Sequence, residues 1–248
     1  MGRLTVVGFG PGGYEDMTNR AVKVIEEAEM VIGYTTYVEL LKPLFPEKEY
    51  IATPMMQEIK RCEMAVELAG QYDHIAMVSS GDSGIYGMAG IVMEVAQKKH
   101  ANIEIQVVPG ITAASAAAAI LGAPLMHDFA VISLSDLLTP WDRIQKRIEM
   151  AAQGDFVTAL YNPKSKKRVQ NIEEVRRIML QYRNPDTPVG IVTAASRDGE
   201  QKVISTLADF TKEAINMFSL VIIGNSQTYV RDGWMITPRG YQNKEGGI

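Results

Sequence analysis

The chain has 248 residues, 46% hydrophobic and 22% charged, a balance that suits two compact globular lobes and excludes a disordered chain. A formal net charge of -4 argues against a general nucleic-acid binder, which neutralises phosphates with excess Lys and Arg, so any anionic ligand must meet a local basic patch. Cys62 is the single cysteine, which excludes an intrachain disulfide framework or an iron-sulfur cluster ligated by this chain alone and suits a reducing cytoplasm.

In chain order, strands are expected at Leu4 to Gly8, Met30 to Gly33, Glu49 to Ile51, Ile75 to Ser79 and Ile103 to Val108. Between them, Thr18 to Ala28, Gln57 to Gln71 and Tyr86 to Lys99 carry apolar residues at three- and four-residue steps, the pattern of amphipathic helices. This alternation predicts βαβ units and a parallel sheet. An Ala-rich helix follows from Thr112 to Leu121, and Gly122-Ala-Pro124 ends it. A lobe boundary is expected at residues 122 to 129, dividing the chain into an N-terminal lobe, 1–125, and a C-terminal lobe, 126–248.

The second half reads as strands at Ala130 to Leu134, Phe156 to Tyr161, Val189 to Thr193, Lys202 to Thr206 and Leu220 to Gly224. Helices are expected near Trp141 to Ala152 and Val169 to Tyr182. Ser196-Arg-Asp-Gly199 is a hairpin signal, so this sheet should be mixed rather than purely parallel. The tail from Gln242 is polar and Gly-rich and is expected to fray. No signal-peptide core is evident near Met1, and the longest apolar stretch, Ile111 to Leu125, is too short and polar to span a bilayer; a soluble protein with no membrane partner is expected.

Three Gly-rich segments each follow a strand. Val6-Val-Gly8-Phe-Gly10-Pro-Gly12-Gly13 places glycines where a backbone must turn sharply or approach a ligand. Taken literally, Gly8, Gly10 and Gly13 match a dinucleotide fingerprint and a nicotinamide enzyme, but the second strand ends in Gly33-Tyr34 without the acidic ribose ligand, and Pro11 removes an N–H from the turn. Ser79-Ser-Gly81-Asp82-Ser-Gly84-Ile-Tyr86-Gly87 is the second segment; Asp82 could bond a ligand or cap the next helix. The third, Val108-Pro-Gly110-Ile-Thr112-Ala113, leads into a helix that Thr112 could cap. Open parallel sheets bind ligands at strand carboxyl ends, so the three loops suggest one crevice.

The order and spacing of Gly8-x-Gly10-Pro11-Gly12, Gly81-Asp82-x-x-x-Tyr86-Gly87 and Pro109-Gly110-Ile111-Thr112 resemble the tetrapyrrole methyltransferase family of cobalamin and sirohaem synthesis, over the chain to about Tyr241. The segments Ile132-Ser-Leu-Ser135-Asp136-Leu-Leu-Thr139-Pro140-Trp141 and Leu160-Tyr161-Asn162-Pro163-Lys164-Ser-Lys166-Lys167-Arg168 resemble the branch that methylates carbon 17 of precorrin-3B, or its cobalt counterpart, and contracts the ring. The resemblance implies a two-lobed α/β fold, S-adenosylmethionine bound between the lobes, and a homodimer. It implies cofactor contacts at Pro11, Gly81, Asp82, Ile85, Thr112, Ala113, Tyr161, Asn162 and Ala194. Ser83 departs from the family, where many members carry Pro.

Methyl transfer from a sulfonium is an in-line displacement that positioning can catalyse. Ring contraction moves protons as well, and Asp136, in a loop after a strand, is the candidate acid-base group, with Ser135 and Thr139 to orient it or to cap the helix after Pro140. Lys164, Lys166, Lys167 and Arg168 form the densest positive run and, with Arg197, could hold the carboxylates of a polycarboxylate tetrapyrrole. His74, His100 and His127 lack metal-ligand spacing and read as surface or loop residues; Cys62 reads as structural. No metal site is expected. A non-catalytic tetrapyrrole carrier of the same fold stands as the rival of another class.

Overall fold

The computed structural model describes residues 1–165 and 168–241, which form two compact units, Met1–Ala113 and Ala114–Ile248. The first is a βα alternation: β1 (Arg3–Gly8), α1 (Asn19–Glu27), β2 (Met30–Tyr34), α2 (Thr35–Leu41), β3 (Glu49–Thr53), α3 (Glu58–Ala69), β4 (His74–Ser79), α4 (Ala89–Lys98) and β5 (Glu104–Val108). Its sheet runs β3-β2-β4-β1-β5 and every pairing is parallel.

The period of two along each strand explains why both faces are covered. Leu4 and Val6 of β1, with Ile75 and Met77 of β4, pack on one side against Cys62, Ala65 and Val66 of α3 and Val92 and Val95 of α4. Val7, with Ala76 and Val78, packs on the other against Ala21 and Ile25 of α1 and Leu41 of α2. Helix α1 starts where the Thr18 hydroxyl accepts from the Ala21 N–H at 3.1 Å. Cys62 is buried, and burial pushes its thiol up to about 12, far from a nucleophile's range.

The second unit holds α5 (Ala113–Leu121, from Ala114), β6 (Gly122–Ala123), β7 (Phe129–Ser133), α6 (Trp141–Gln153), β8 (Val157–Tyr161), α7 (Asn171–Met179), β9 (Pro188–Thr193), β10 (Gln201–Thr206), β11 (Ser219–Ile223), β12 (Tyr229–Arg231) and β13 (Trp234–Ile236). Its main sheet, β10-β9-β11-β8-β7, is mixed: β7 and β8 are parallel and the other neighbours antiparallel. One face carries Ile132, Leu160, Ile191 and Val221 against Ile144 and Ile148 of α6 and Ile172, Val175 and Met179 of α7.

The units divide ahead of the expected boundary at 125, because residues distant in sequence hold α5 and the segment after it. Gly122 and Ala123 pair in parallel with Met235 and Ile236 of β13, Lys202 Nζ donates to the Ile120 carbonyl at 3.2 Å, and a Cβ on Gly190 would meet Leu121 Cδ1 at 2.4 Å. Helix α5 is thus held by strands far along the chain, which its own Gly-Pro punctuation does not report. Helix α2 and the β12–β13 hairpin are absent from the sequence reading. The hairpin had a signal: Asp232 and Gly233 take φ of 51° and 76°, the two-residue turn that an Asp-Gly pair favours.

His74 corrects its reading as a surface residue. It is 5% exposed at the start of β4, with Nδ1 2.9 Å from Arg3 Nη2 and Nε2 3.0 Å from Thr5 Oγ1. Arg3 can only donate, so Nδ1 accepts and the Nε2 proton goes to the threonine, which fixes a neutral ring. Burial first, and then the Arg3 charge, hold its pKa below the ordinary 6.5. The expected fraying of residues 242–248 lies outside the described residues. Among the described residues no helix is long and apolar enough to cross a membrane.

Candidate functional site: two sets of strand-end loops

In the first unit the parallel register aligns Gly8 with Ser79, Val7 with Val108 and Tyr34 with Thr53, so the carboxyl ends of all five strands lie along one sheet edge. The three Gly-rich loops meet there. Gly10 and Gly81 exchange N–H···O=C bonds at 3.1 and 2.7 Å. Gly110 fits so closely that a Cβ would sit 2.2 Å from the Gly81 carbonyl oxygen and 2.4 Å from that of Gly8. A Cβ on Gly8 would in turn lie within 2.8 Å of Gly81 O, Gly110 N and Ser83 N. These glycines are required because three backbones touch.

Asp82 has a structural role within the loops themselves. Its Oδ1 accepts from the N–H groups of Gly84 at 2.8 Å and Ile85 at 3.1 Å, and its Oδ2 from Gly110 N–H at 3.0 Å. It therefore shapes its own loop and ties it to the loop after β5; it does not cap α4, which starts only at Ala89 with no side-chain cap. Ser83 is fully buried, its hydroxyl 3.3 Å from the Val108 carbonyl, so the departure from Pro replaces ring rigidity with a hydrogen bond across the strands. Pro11 is buried within the first loop, while Ile85, Tyr86 and Ile111 are exposed beside Gly81.

Arg61 is a residue at this edge that sequence reasoning missed. Only 3% exposed on α3, it donates from Nε to Thr53 Oγ1 at 2.6 Å and from Nη2 to the Pro54 carbonyl at 3.1 Å, and lies 5.9 Å from the Tyr34 ring centroid. It pins the ends of β2 and β3, and burial lowers its pKa from the ordinary guanidinium value. An arginine in an amphipathic helix gives no sequence sign of facing inward.

In the second unit the register pairs Ser133 with Tyr161 and Thr193 with Ser219, so the carboxyl ends of β7, β8 and β9 lie along one edge of the mixed sheet. This places Tyr161, the last residue of β8, and the loop residues Ser135, Asp136, Thr139, Asn162, Lys164, Arg168, Ala194 and Arg197 at one sheet end. Asn162 Nδ2 donates to Ser133 Oγ at 3.0 Å, which itself accepts from Ser135 N–H at 3.2 Å. The Tyr161 hydroxyl accepts from Ala114 N–H at 2.9 Å, at the start of α5.

Asn162 and Ala194 take φ of 51° and 53°. For alanine the left-handed region costs about 1–2 kcal/mol, so the fold over-determines that turn, here through Ala194 N–H to the Phe218 carbonyl at 3.2 Å and Arg197 N–H to the Ala194 carbonyl at 3.0 Å.

Arg168 is partly drawn inward. Its Nη1 donates to the Leu134 carbonyl at 2.9 Å, where Asn171 Nδ2 also donates at 3.3 Å, and its Nε lies 3.7 Å from Asp136 Oδ1. Its side chain is 18% exposed and that of Asp136 35%. Arg168 thus stands beside Asp136 while bonding the backbone of the same loop. Among the described residues, Ser135 and Thr139 make no hydrogen bond to that carboxylate, and neither caps α6, whose N-cap is Pro140 with no side-chain bond. Lys166 and Lys167 lie outside the described residues. Among the described residues no group of His, Cys, Asp and Glu could hold a metal.

Solved methyltransferase structures share this arrangement of a parallel sheet in one unit and a mixed sheet in the other. Residues 3–211 match the family described as Tetrapyrrole (Corrin/Porphyrin) Methylases, and the chain belongs to it.

Among curated proteins it is 51% identical, over 98% of its length, to a cobalt-factor III methyltransferase of Priestia megaterium, of which it spans only 46%. It is 49% identical to a probable cobalt-factor III C(17)-methyltransferase of Salmonella typhimurium, covering 96% of this chain and 99% of that one. The crystal structure of the methyltransferase CobJ superposes with a TM-score of 0.90 at 36% identity, over 96% of this chain and all of the other.

Proposed function

We propose that this protein transfers a methyl group from S-adenosylmethionine to carbon 17 of a precorrin-3B-type tetrapyrrole and contracts the ring, in cobalamin biosynthesis. The observation that carries the reading is near-full-length similarity to a C(17)-methyltransferase, together with the Asp136 and Asn162 motifs at one sheet end. The names of the two relatives favour a cobalt-bearing substrate over a metal-free one.

The first unit's loops fit S-adenosylmethionine. Gly81 has a φ of +69°, and the atoms nearest to a Cβ built on it are main-chain atoms of Ile111, Thr112 and Ala113 at 3.7–3.8 Å, so a ligand there would meet peptide groups. Exposed Ile85, Tyr86 and Ile111 offer apolar surface for an adenine face. Pro11, Gly81, Asp82, Ile85, Thr112 and Ala113 would hold it from this unit, with Tyr161, Asn162 and Ala194 as contacts from the second. When bound, it supplies an electrophilic methyl group on sulfur.

The chain's contribution to the transfer is alignment of an electron-rich ring carbon with that methyl. Asp136 would take and return a proton as the ring contracts, with Arg168 holding its carboxylate in place. Lys164, Lys166, Lys167, Arg168 and Arg197 are the substrate-side cations, with Ser135 and Thr139 as polar neighbours. Incubating the protein with methyl-labelled S-adenosylmethionine and either cobalt-factor III or precorrin-3B, and reading product mass, tests the assignment. A label that appears on neither tetrapyrrole refutes it and favours a carrier.

The protein is further proposed to work in the cytoplasm as a homodimer. Half-exposed Tyr229, Val230 and Trp234 of the β12–β13 hairpin support pairing as apolar surface to be covered. Light scattering that returns a 27.3 kDa monomer would reject it.

A further inference from the structure

The loop that carries Asp136 also carries the most exposed leucines of the molecule. Leu137 is 69% exposed and Leu138 95%, and no other leucine among the described residues is exposed to a comparable degree. Apolar side chains are commonly found at a surface, but two adjacent, almost fully solvated leucines on a loop tip are costly unless something covers them.

This tip is not loose. At its base the Leu134 N–H donates to the Tyr161 carbonyl at 2.9 Å, the Leu134 carbonyl accepts from both Arg168 and Asn171, and Ser135 N–H is held by Ser133 Oγ. Asp136, the residue before the leucines, faces Arg168, and Pro140, just beyond them, opens α6 with its carbonyl accepting from Arg143 N–H at 3.1 Å. The chain therefore spends hydrogen bonds to fix a short bridge whose outer residues stand largely in solvent.

We infer that Leu137 and Leu138 form an apolar platform that receives the flat face of the tetrapyrrole beside Asp136. The inference rests on the methyltransferase reading above and deepens it by assigning the ring-face contact. The occupant follows from the chemistry of the loop's surroundings. A tetrapyrrole is an apolar disc rimmed by carboxylates, and this tip sets two apolar side chains directly after Asp136, whose neighbour Arg168 belongs, with Lys164, to the loop after β8 at the same sheet end. A small polar cofactor needs no such surface. A peptide partner would have no use for the cations and the carboxylate arranged behind it.

The test is the double variant Leu137→Ser with Leu138→Ser, prepared beside Leu137→Met with Leu138→Met, which keeps the apolar surface. Because both side chains are solvated, the serine variant should fold with unchanged unfolding midpoint. Its KM for cobalt-factor III, and its Kd from the tetrapyrrole absorption band, should rise by roughly tenfold or more, as expected for losing two apolar contacts. S-adenosylhomocysteine affinity and light-scattering mass should not change, and the methionine variant should behave as wild type.

An unchanged KM in the serine variant, with wild-type turnover intact, overturns this inference and leaves the functional reading standing. A fall in mass would assign the leucines to contact with a second copy, and weaker S-adenosylhomocysteine binding would assign them to the cofactor; either also overturns it. If the wild type neither binds nor methylates the tetrapyrrole, the functional reading fails and takes the platform with it.

Discussion

The two units solve the same problem with different materials. In Met1–Ala113 the Gly-rich strand-end loops are joined backbone to backbone, through Gly8, Gly10, Gly81 and Gly110, with the Asp82 carboxylate tying the loop after β4 to Gly110 N–H. In Ala114–Ile248 the corresponding loops are joined by side chains: Arg168 and Asn171 on the Leu134 carbonyl, Asn162 on Ser133, Arg168 on Asp136. A backbone-built site offers nearly the same peptide surface whatever the neighbouring side chains, which suits a cofactor common to a family. A side-chain-built site can be retuned by substitution, which suits a substrate that differs between branches.

The largest test of this contrast is Gly110→Ala. One methyl group would intrude to 2.2 Å from a carbonyl oxygen, so destabilisation of about 3 kcal/mol or more and loss of S-adenosylhomocysteine binding are expected, read by urea unfolding and calorimetric titration. Gly90→Ala is the control, since nothing lies within 4 Å of its Cβ, and it should leave both readings near wild type. Comparable behaviour of the two variants would remove the backbone argument.

Asp136→Asn comes next. It should slow ring contraction by about 10²–10⁴-fold, the usual weight of a general acid-base group, with cofactor affinity unmoved and a methylated, uncontracted macrocycle accumulating in the mass spectrum. Full contraction at the wild-type rate would leave Asp136 with no chemical role.

Arg168→Gln sharpens the second half of the contrast. Losing a charge-assisted bond to the Leu134 carbonyl and the neighbour of Asp136 should lower kcat by roughly tenfold, while S-adenosylhomocysteine still binds. A loss confined to thermal stability, with kcat intact, would make Arg168 a structural brace and nothing more.

The smallest effect concerns the opposite end of the first sheet. His74 is held neutral in the fold with its pKa below 6.5, so as pH falls from 6.5 toward the folded value the unfolded chain takes up a proton that the native chain refuses. Stability should fall with pH across that window and level off below it. In His74→Gln, which can still bond Thr5, that component of the slope should vanish from paired urea titrations; parallel curves for the two proteins would show that the ring does not titrate differently on folding.

Much of this was legible in the order of residues. Apolar runs with flanking glycines located nearly every strand of both sheets, because a strand buried on both faces and the turn after it leave strong local marks. The three Gly-rich loops and the Ser-Asp-Leu-Leu segment were equally visible, since the need for a bare backbone or an unusual turn is written at the position itself. Other features depend on contacts between distant residues. Helix α5 belongs with the second unit because β13 and Lys202 reach it from more than eighty residues away. His74 is buried because Arg3 and Thr5 of another strand satisfy both ring nitrogens, and Arg61 because Thr53 and Pro54 accept its donors. Arg168 stands in a basic run that suits substrate carboxylates, and only the folding of β7 beside β8 also brings the Leu134 carbonyl and Asp136 within its reach. The sequence by itself determined the strands, the turns and the chemistry available at each loop, because those follow from local backbone and side-chain preferences. The tertiary structure decided which polar groups meet, because an arginine or a histidine takes its role from partners that the chain brings to it from elsewhere.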